Sequence, residues 1–222
     1  MIDGLELDHL FVCAPGGAGD VPLLTGRGLE VGVRRVHRGQ GTTNACFFFN
    51  NAYLELLWLR DEAEVRSPAV APLCLWERAR WRETGACPLG IAFRLRDSSA
   101  PWPLPAWDYA PPFLPPGNCL PIVTPPGAAG EPLVFFSAGS PGPPSAYPAE
   151  QRVPLVHNGR QLTLRKVYLE TPADALSAEV RRIEQTGLVS IQRGSLYHMR
   201  LEFDGAGEEE DFRPALPLSL QW

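Results

Sequence analysis

The stretch Leu5-Glu6-Leu7-Asp8-His9-Leu10-Phe11-Val12-Cys13, followed by Ala14-Pro15-Gly16-Gly17, decides how the rest of the chain is read. Side chains of an extended strand alternate between faces, so Leu7, His9, Phe11 and Cys13 share one side. The Pro-Gly run ends that strand. Asp20 is placed to cap a short helix with Pro22 in its first turn, and Gly26 and Gly28 close it. Strands are expected at 29–36, 43–49 and 52–59, the last two joined through Asn50-Asn51, a hairpin signal. The order is strand, helix, strand, strand, strand.

The far end of the chain carries the same order. A strand at 162–170 runs into Thr171-Pro172-Ala173-Asp174, a helix start with a threonine cap, a proline and an early acid. Leu176, Val180 and Ile183 form its apolar stripe and Gly187 ends it. Strands at 188–192, 196–203 and 216–222 follow, with the acidic run 208–211 as a solvated turn. This recurrence predicts an α+β fold of two pseudo-duplicated βαβββ modules, their mixed sheets facing each other around a cleft. Residues 1–222 form one domain, with module one at 5–59, module two at 162–222 and an insertion at 60–161.

The insertion reads as a helix over 68–84 capped by Gly85, a strand at 88–95, and a Pro-rich segment with a strand at 133–137. Much of the chain's 24 prolines and 21 glycines falls there. It also holds Trp102, Trp107, Tyr109, Phe113, Phe135 and Phe136, which disordered tethers lack, so it is expected to be ordered.

The net charge of -5 is mild and nothing in the sequence reads as a phosphate-binding surface, so nucleic acid is not expected as a partner. Five cysteines without a C-x-x-C pair imply a reducing, cytoplasmic setting. No apolar run of about 20 residues is present to span a membrane, and Met1-Ile2-Asp3-Gly4 does not open a leader. Lys166 is the only lysine.

Six short motifs occur in order: Leu7-Asp8-His9-Leu10, His37-Arg38-Gly39-Gln40-Gly41-Thr42-Thr43-Asn44, Tyr53-Leu54-Glu55-Leu56-Leu57, Pro88-Leu89-Gly90-Ile91-Ala92-Phe93-Arg94, His157-Asn158-Gly159 and Asp211-Phe212-Arg213-Pro214-Ala215-Leu216-Pro217-Leu218. With them the chain resembles glyoxalase-like domain proteins of the vicinal oxygen chelate (glyoxalase/bleomycin resistance/dioxygenase) superfamily. The resemblance implies a divalent cation (zinc, iron, manganese or nickel) held by the first and last strands of each module and chelating vicinal oxygens of a substrate. Some relatives keep the cleft and lose the metal, and members often pair as homodimers.

The implied ligand positions of module one fall on His9 and Glu55. Counting back from the two helix starts pairs His9 with Lys166, and aligning the last strands pairs Glu55 with Ser219. Lysine, cationic near neutral pH, is a poor metal ligand. The favoured reading is therefore metal-free: the Lys166 ammonium offsets Glu55 and leaves His9 as a base. His157 or His198 would be needed to complete a metal site. The expected catalytic set is His9, Glu55 and Lys166; Asn44, His37, Ser219 and His157 are expected to contact substrate. Against these stand blander readings: a core histidine at 9, a salt bridge from Glu55 to an arginine, and a plain turn at Asn158-Gly159. Two functions stay open. One is isomerase, lyase or dioxygenase chemistry on a small oxygenated molecule; the other is small-molecule binding without chemistry. A homodimer through exposed strand edges is a third expectation.

Overall fold

In the computed structural model, which describes residues 2–172, 176–205 and 207–222, the opening strand is the centre of a large mixed sheet. β1 (Leu5–Cys13) is followed by a short helix α1 (Val21–Thr25) and by β2 (Val33–His37), β3 (Thr42–Phe48) and β4 (Tyr53–Leu59). β1 pairs parallel with β4, and β4, β3 and β2 continue antiparallel outward. This is the βαβββ unit expected for the first 59 residues.

The next four strands join the same sheet. They are β5 (Leu89–Leu95), β6 (Trp107–Tyr109), β7 (Leu120–Ile122) and β8 (Leu133–Phe136), and the full order is β2-β3-β4-β1-β5-β8-β7-β6. β1 and β5 are antiparallel neighbours; β8 lies parallel to β5 as β4 lies parallel to β1. The two-module plan is thus observed with a different partition. Residues 89–136, expected within an insertion, are the partner module of 5–59. No helix crosses from β5 to β6; Trp102 in that crossover stacks on Phe136 instead, with ring centroids 4.4 Å apart.

The C-terminal third makes a second mixed sheet. A small hairpin of β9 (Val156–His157) and β10 (Arg160–Gln161) leads to β11 (Leu164–Thr171), helix α5 (Ala178–Arg181), β12 (Val189–Arg193), β13 (His198–Phe203), β14 (Glu209–Asp211) and β15 (Leu218–Gln221), ordered β12-β11-β13-β15-β14. The acidic run read as a turn is the edge strand β14. The helix start expected at Thr171-Pro172-Ala173-Asp174 falls partly outside the described residues; the cap observed is Ser177, whose side chain accepts from the Val180 amide.

Alternation explains how the sheets stack. Leu10, Val12, Phe47, Leu54, Leu56, Ile91, Phe93, Val134 and Phe136 point to one face and share a core with Val167, Leu169, Met199, Leu201, Leu218 and Leu220 of the second sheet. Phe11, Cys13, Leu57, Ala92, Leu133 and Phe135 point to the other face, where Tyr109, Ile122 and residues 65–75 cover them. The second sheet therefore packs behind the first, and the sheets do not face each other across a cleft.

A short helix α2 (Glu62–Val65) comes first, and the helix expected over 68–84 is broken into a 3-10 turn at Ala71–Leu73, α3 (Leu75–Ala79) and α4 (Trp81–Thr84). Cys74 adopts φ 54°, which interrupts helical hydrogen bonding, and Gly85 ends the run at φ 72° as expected. Arg78 of α3 is fully buried. It donates to the carbonyls of Leu73, Cys87, Glu131 and Ala128 at 2.9, 2.9, 2.5 and 3.0 Å, tying the helical segment to the start of β5 and to the loop before β8. Arg78→Met would leave the buried Leu73 and Cys87 carbonyls without this donor and cut the ties to Ala128 and Glu131, and we expect a loss of about 3 kcal/mol or more. Urea unfolding checks it; a variant that unfolds at the wild-type midpoint would contradict this role.

Candidate functional site

β1 departs from strict alternation at one place. Its register with β5 slips between Leu7 and His9, leaving Asp8 as the extra residue. A bulge of this kind re-aims neighbouring side chains, and Asp8 and His9 meet: His9 Nδ1 is 2.7 Å from Asp8 Oδ2. Both are buried, at 4% and 8% exposure. Burial alone would raise the Asp8 carboxyl; the hydrogen bond and charge of His9, the Ser140 hydroxyl and Arg94 outweigh it and hold Asp8 below the usual carboxylate range. Asp8 is therefore an anion that accepts the Nδ1 proton. In the neutral ring this contact places the proton on Nδ1 and leaves Nε2 as the open acceptor.

His9 Nε2 lies 3.9 Å from Glu55 Oε2, too far for a hydrogen bond and close enough to share one small group. The Asn44 side-chain amide donates to Glu55 Oε1 at 2.5 Å, and Asn44 Oδ1 accepts from the Arg35 backbone N–H at 2.8 Å. Asn44 thus fixes one Glu55 oxygen and leaves the other toward His9. The Tyr53 ring stacks on His9 with centroids 4.6 Å apart, and Phe135 meets it edge-on at 5.3 Å. Burial, then Asp8 and Glu55, push the Tyr53 phenol well above its ordinary value.

These groups line a cavity of about 620 Å³. Its walls are otherwise largely apolar, including Phe11, Leu57, Ile122, Leu133 and Phe135, with Arg35 and His37 from the edge strand β2 and Phe113 from the loop before β7. A polar chain latches the two modules at this edge. Tyr109 donates to Gln40 at 3.0 Å, Gln40 donates to Thr42 at 2.9 Å, and Thr42 meets His37 Nδ1 at 2.9 Å. Burial lowers the His37 pKa.

Of the side chains expected from sequence, His9, Glu55, Asn44 and His37 line one cavity. Lys166, Ser219 and His157 do not. Lys166 lies over the Tyr168 ring at 5.3 Å on the second sheet, and Ser219 is buried in β15 of that sheet. The pairing of Lys166 with Glu55 is corrected on this ground: the second sheet lies behind the first, on the side away from the cavity. The count that paired His9 with Lys166 has a structural counterpart, since β11 slips register against β13 between Leu164 and Lys166 as β1 does against β5. His157 is a clamp. Its Nδ1 accepts from the Glu30 amide at 3.0 Å and its Nε2 donates to the Phe48 carbonyl at 2.6 Å. His198 sits in β13, and its Nε2 has no partner among the described residues. Asp8, Arg35, Tyr53, Gln40 and Tyr109 were not singled out from sequence. Arg35 was within reach, since Val33, Arg35 and His37 alternate along β2.

The relation between modules also tests the metal site. His9 pairs with Ala92, Leu10 with Ile91 and Phe11 with Gly90 across the antiparallel β1–β5 seam; a two-fold placed at the Leu10–Ile91 pair carries His9 onto Gly90. Phe11 pairs with Glu55, and Ala92 with Phe135, which carries Glu55 onto Phe135. Glycine and phenylalanine offer no side-chain donor, and a Cβ on Gly90 would run into the Phe11 ring. Among the described residues no three His, Cys, Asp or Glu gather into a ligand set. His9 and Glu55 alone do not fit a four-donor cation centre.

Residues 7–101 match the family described as "Glyoxalase-like domain". The match opens on the strand holding Asp8 and His9 and takes in Glu55 and the first strand of the second module. No curated protein matches the chain. A solved structure, a hypothetical protein from Staphylococcus aureus, aligns over 97% of this chain and 98% of its own at 10% identity, with a TM-score of 0.56; the two share a fold. A methylmalonyl-CoA epimerase in complex with methylmalonyl-CoA and NH4+ aligns over 62% of this chain and 97% of its own at 18% identity. Its TM-score of 0.37 is too low for a residue-level comparison. Among the described residues, no helix is long and apolar enough to cross a membrane.

The His157 clamp has a pH signature. Burial first, partly offset by the Phe48 hydrogen bond and Glu30, holds its pKa below the ordinary 6.5. The unfolded chain then binds the proton more readily, so this contribution is intact above pH 6.5 and is lost as pH falls below it. The melting temperature should drop between pH 7 and pH 5, and His157→Gln should flatten that dependence, with His37 and His198 supplying the remainder. Equal slopes in wild type and variant would exclude the clamp as the sensor.

Proposed function

We propose that this protein binds a small oxygenated organic molecule in the cavity of the eight-stranded sheet and moves a proton on it, with His9 and Glu55 as the acid–base pair. The observation that carries this reading is the row Asp8–His9–Glu55–Asn44. An imidazole anchored at one nitrogen and a carboxylate anchored at one oxygen turn their open atoms toward each other, 3.9 Å apart.

The row supports a division of labour. His9 Nε2 takes a proton from the carbon or hydroxyl of the bound molecule. The imidazolium so formed lies between two carboxylates: Asp8 orients the ring and balances its charge, much as an acid does in a nucleophilic triad, and Glu55 faces the new N–H. Glu55 Oε2 also accepts from a hydroxyl of the bound molecule and fixes its orientation. Tyr53 and Phe135 hold the imidazole plane, and the apolar walls exclude water from the exchange. Isomerisation or elimination next to a carbonyl suits this arrangement, since both need a proton removed and another returned.

The test is deuterium exchange into a panel of 2-oxo acids and α-hydroxy ketones, followed by proton NMR. Wild type should accelerate exchange in at least one compound. His9→Gln should slow it by about 100-fold or more, with Glu55→Gln and Asp8→Asn slower than wild type. A wild-type protein that binds members of the panel and exchanges none faster than buffer would assign the cavity to binding without chemistry and end the proposal.

A further inference from the structure

The cavity does not end at His9. A second hollow of about 390 Å³ adjoins it, with Asp8, Phe48, Ser140 and Tyr147 on its walls. Arg35, Tyr53, Ser137 and Ala138 line both, so these residues form the partition. The Tyr53 ring stacks on His9 and lies 5.9 Å from the Arg35 guanidinium carbon. One aromatic ring therefore separates the proton-handling imidazole from a cation.

That cation differs from the many arginines of the chain whose charge is already met. Arg27, Arg66, Arg80, Arg94, Arg96, Arg160, Arg165, Arg200 and Arg213 each meet a carboxylate within 4 Å. Arg78 and Arg82 are taken up by backbone carbonyls. Among the described residues Arg35 meets no carboxylate within ion-pair distance; its Nη1 reaches the Cys46 sulfur at 3.9 Å, a weak acceptor, and its side chain also meets the neutral Tyr53 hydroxyl. The side chain keeps solvent access, as a group that meets an incoming ligand must. Its backbone is held by Asn44, the residue that also anchors Glu55, so cation and carboxylate are set from one side chain.

We infer that Arg35 is the anchor for a carboxylate on the ligand, and that the molecule taken by the site is a small carboxylic acid whose oxygenated carbon, next to that carboxylate, reaches His9 and Glu55. This rests on the reading of the cavity as a ligand site and names the ligand's class. A planar guanidinium with free N–H groups binds a carboxylate through two parallel hydrogen bonds. An acid whose charge sits at the partition presents its adjacent carbon across Tyr53 to the imidazole, and its apolar remainder meets Phe11, Leu133 and Phe135. The negative charges of Asp8 and Glu55 disfavour an anion elsewhere in the cavity, so the carboxylate has one cationic place to settle.

Phenylglyoxylate is the suitable probe because it has no hydrogen next to its carbonyl. It binds without proton exchange, so its affinity is independent of whether His9 performs chemistry. Calorimetric titration of wild type, Arg35→Gln and Arg35→Lys would use phenylglyoxylate, its methyl ester and phenylphosphonate. Wild type should bind the acid at least about 10-fold tighter than the ester. Arg35→Gln should weaken the acid by about 10- to 100-fold and leave the ester unchanged. Arg35→Lys, which keeps the charge and loses the fork, should fall between and shows that substitution at 35 leaves the site folded. Equal affinity of wild type for acid and ester, undiminished acid binding by Arg35→Gln, tighter binding of the phosphonate, or no binding of any probe would overturn the assignment. Normal Arg35-dependent binding together with a failed exchange experiment would remove the chemistry and leave the carboxylate site standing.

Discussion

The structure turns on the seam between β1 and β5 and on the single extra residue in it. Pairing these strands antiparallel joins two modules into one sheet of eight strands. The slip at Asp8 lets two adjacent side chains meet, which regular alternation forbids. Without the slip, Asp8 and His9 would stand on opposite faces, one in the core and one in the cavity. The same irregularity recurs between β11 and β13, where Lys166 follows the slip, so the second sheet repeats the seam without repeating the site.

The chemistry of the cavity follows from what each module places at equivalent positions. One module supplies His9 and Glu55; the other supplies Gly90 and Phe135, with the Phe11 ring filling the space beside Gly90. Half of the cavity floor is therefore polar and half is a hydrocarbon surface. A carboxylate and an imidazole on such a surface need partners to offset the loss of water. Asn44 and Asp8 are those partners, and Asp8 is in turn steadied by Ser140 and by Arg94 at 3.6 Å. Stability and function share these contacts: the groups that make burial tolerable also fix which atoms remain free.

Attachment of the second sheet uses few polar contacts, well placed. Asn51 exchanges a pair of hydrogen bonds with the Leu164 backbone at 2.9 Å, and the Asn50 amide donates to Thr163 at 3.0 Å. The Asn50-Asn51 turn, legible as a hairpin, thus also sets where β11 begins. Leu10, Phe47 and Leu54 on one sheet and Val167, Met199 and Leu218 on the other then close the core between them.

Periodicity placed β1, β3 and β4 within a residue or two, whereas β2 begins four residues later than expected; His9 and Glu55, with Asn44 and His37, were picked out by the family resemblance. Leu10 and Phe11, or Leu54 and Glu55, declare their faces by alternation, which is local and survives in the bare sequence. The identity of the partner module was not legible. The stretch 96–106 carries no helix, so residues 89–136 do not repeat the opening pattern, whereas 162–222 do. Hydrophobic period records which side of a strand a residue takes and not which strand lies beside it. For that reason Lys166 and Ser219, correctly placed in strands, were assigned to the wrong wall. Asp8 and Arg35 were passed over for a related reason: a one-residue slip and an arginine without an acid are properties of neighbours in space, and only the packed sheet determines them.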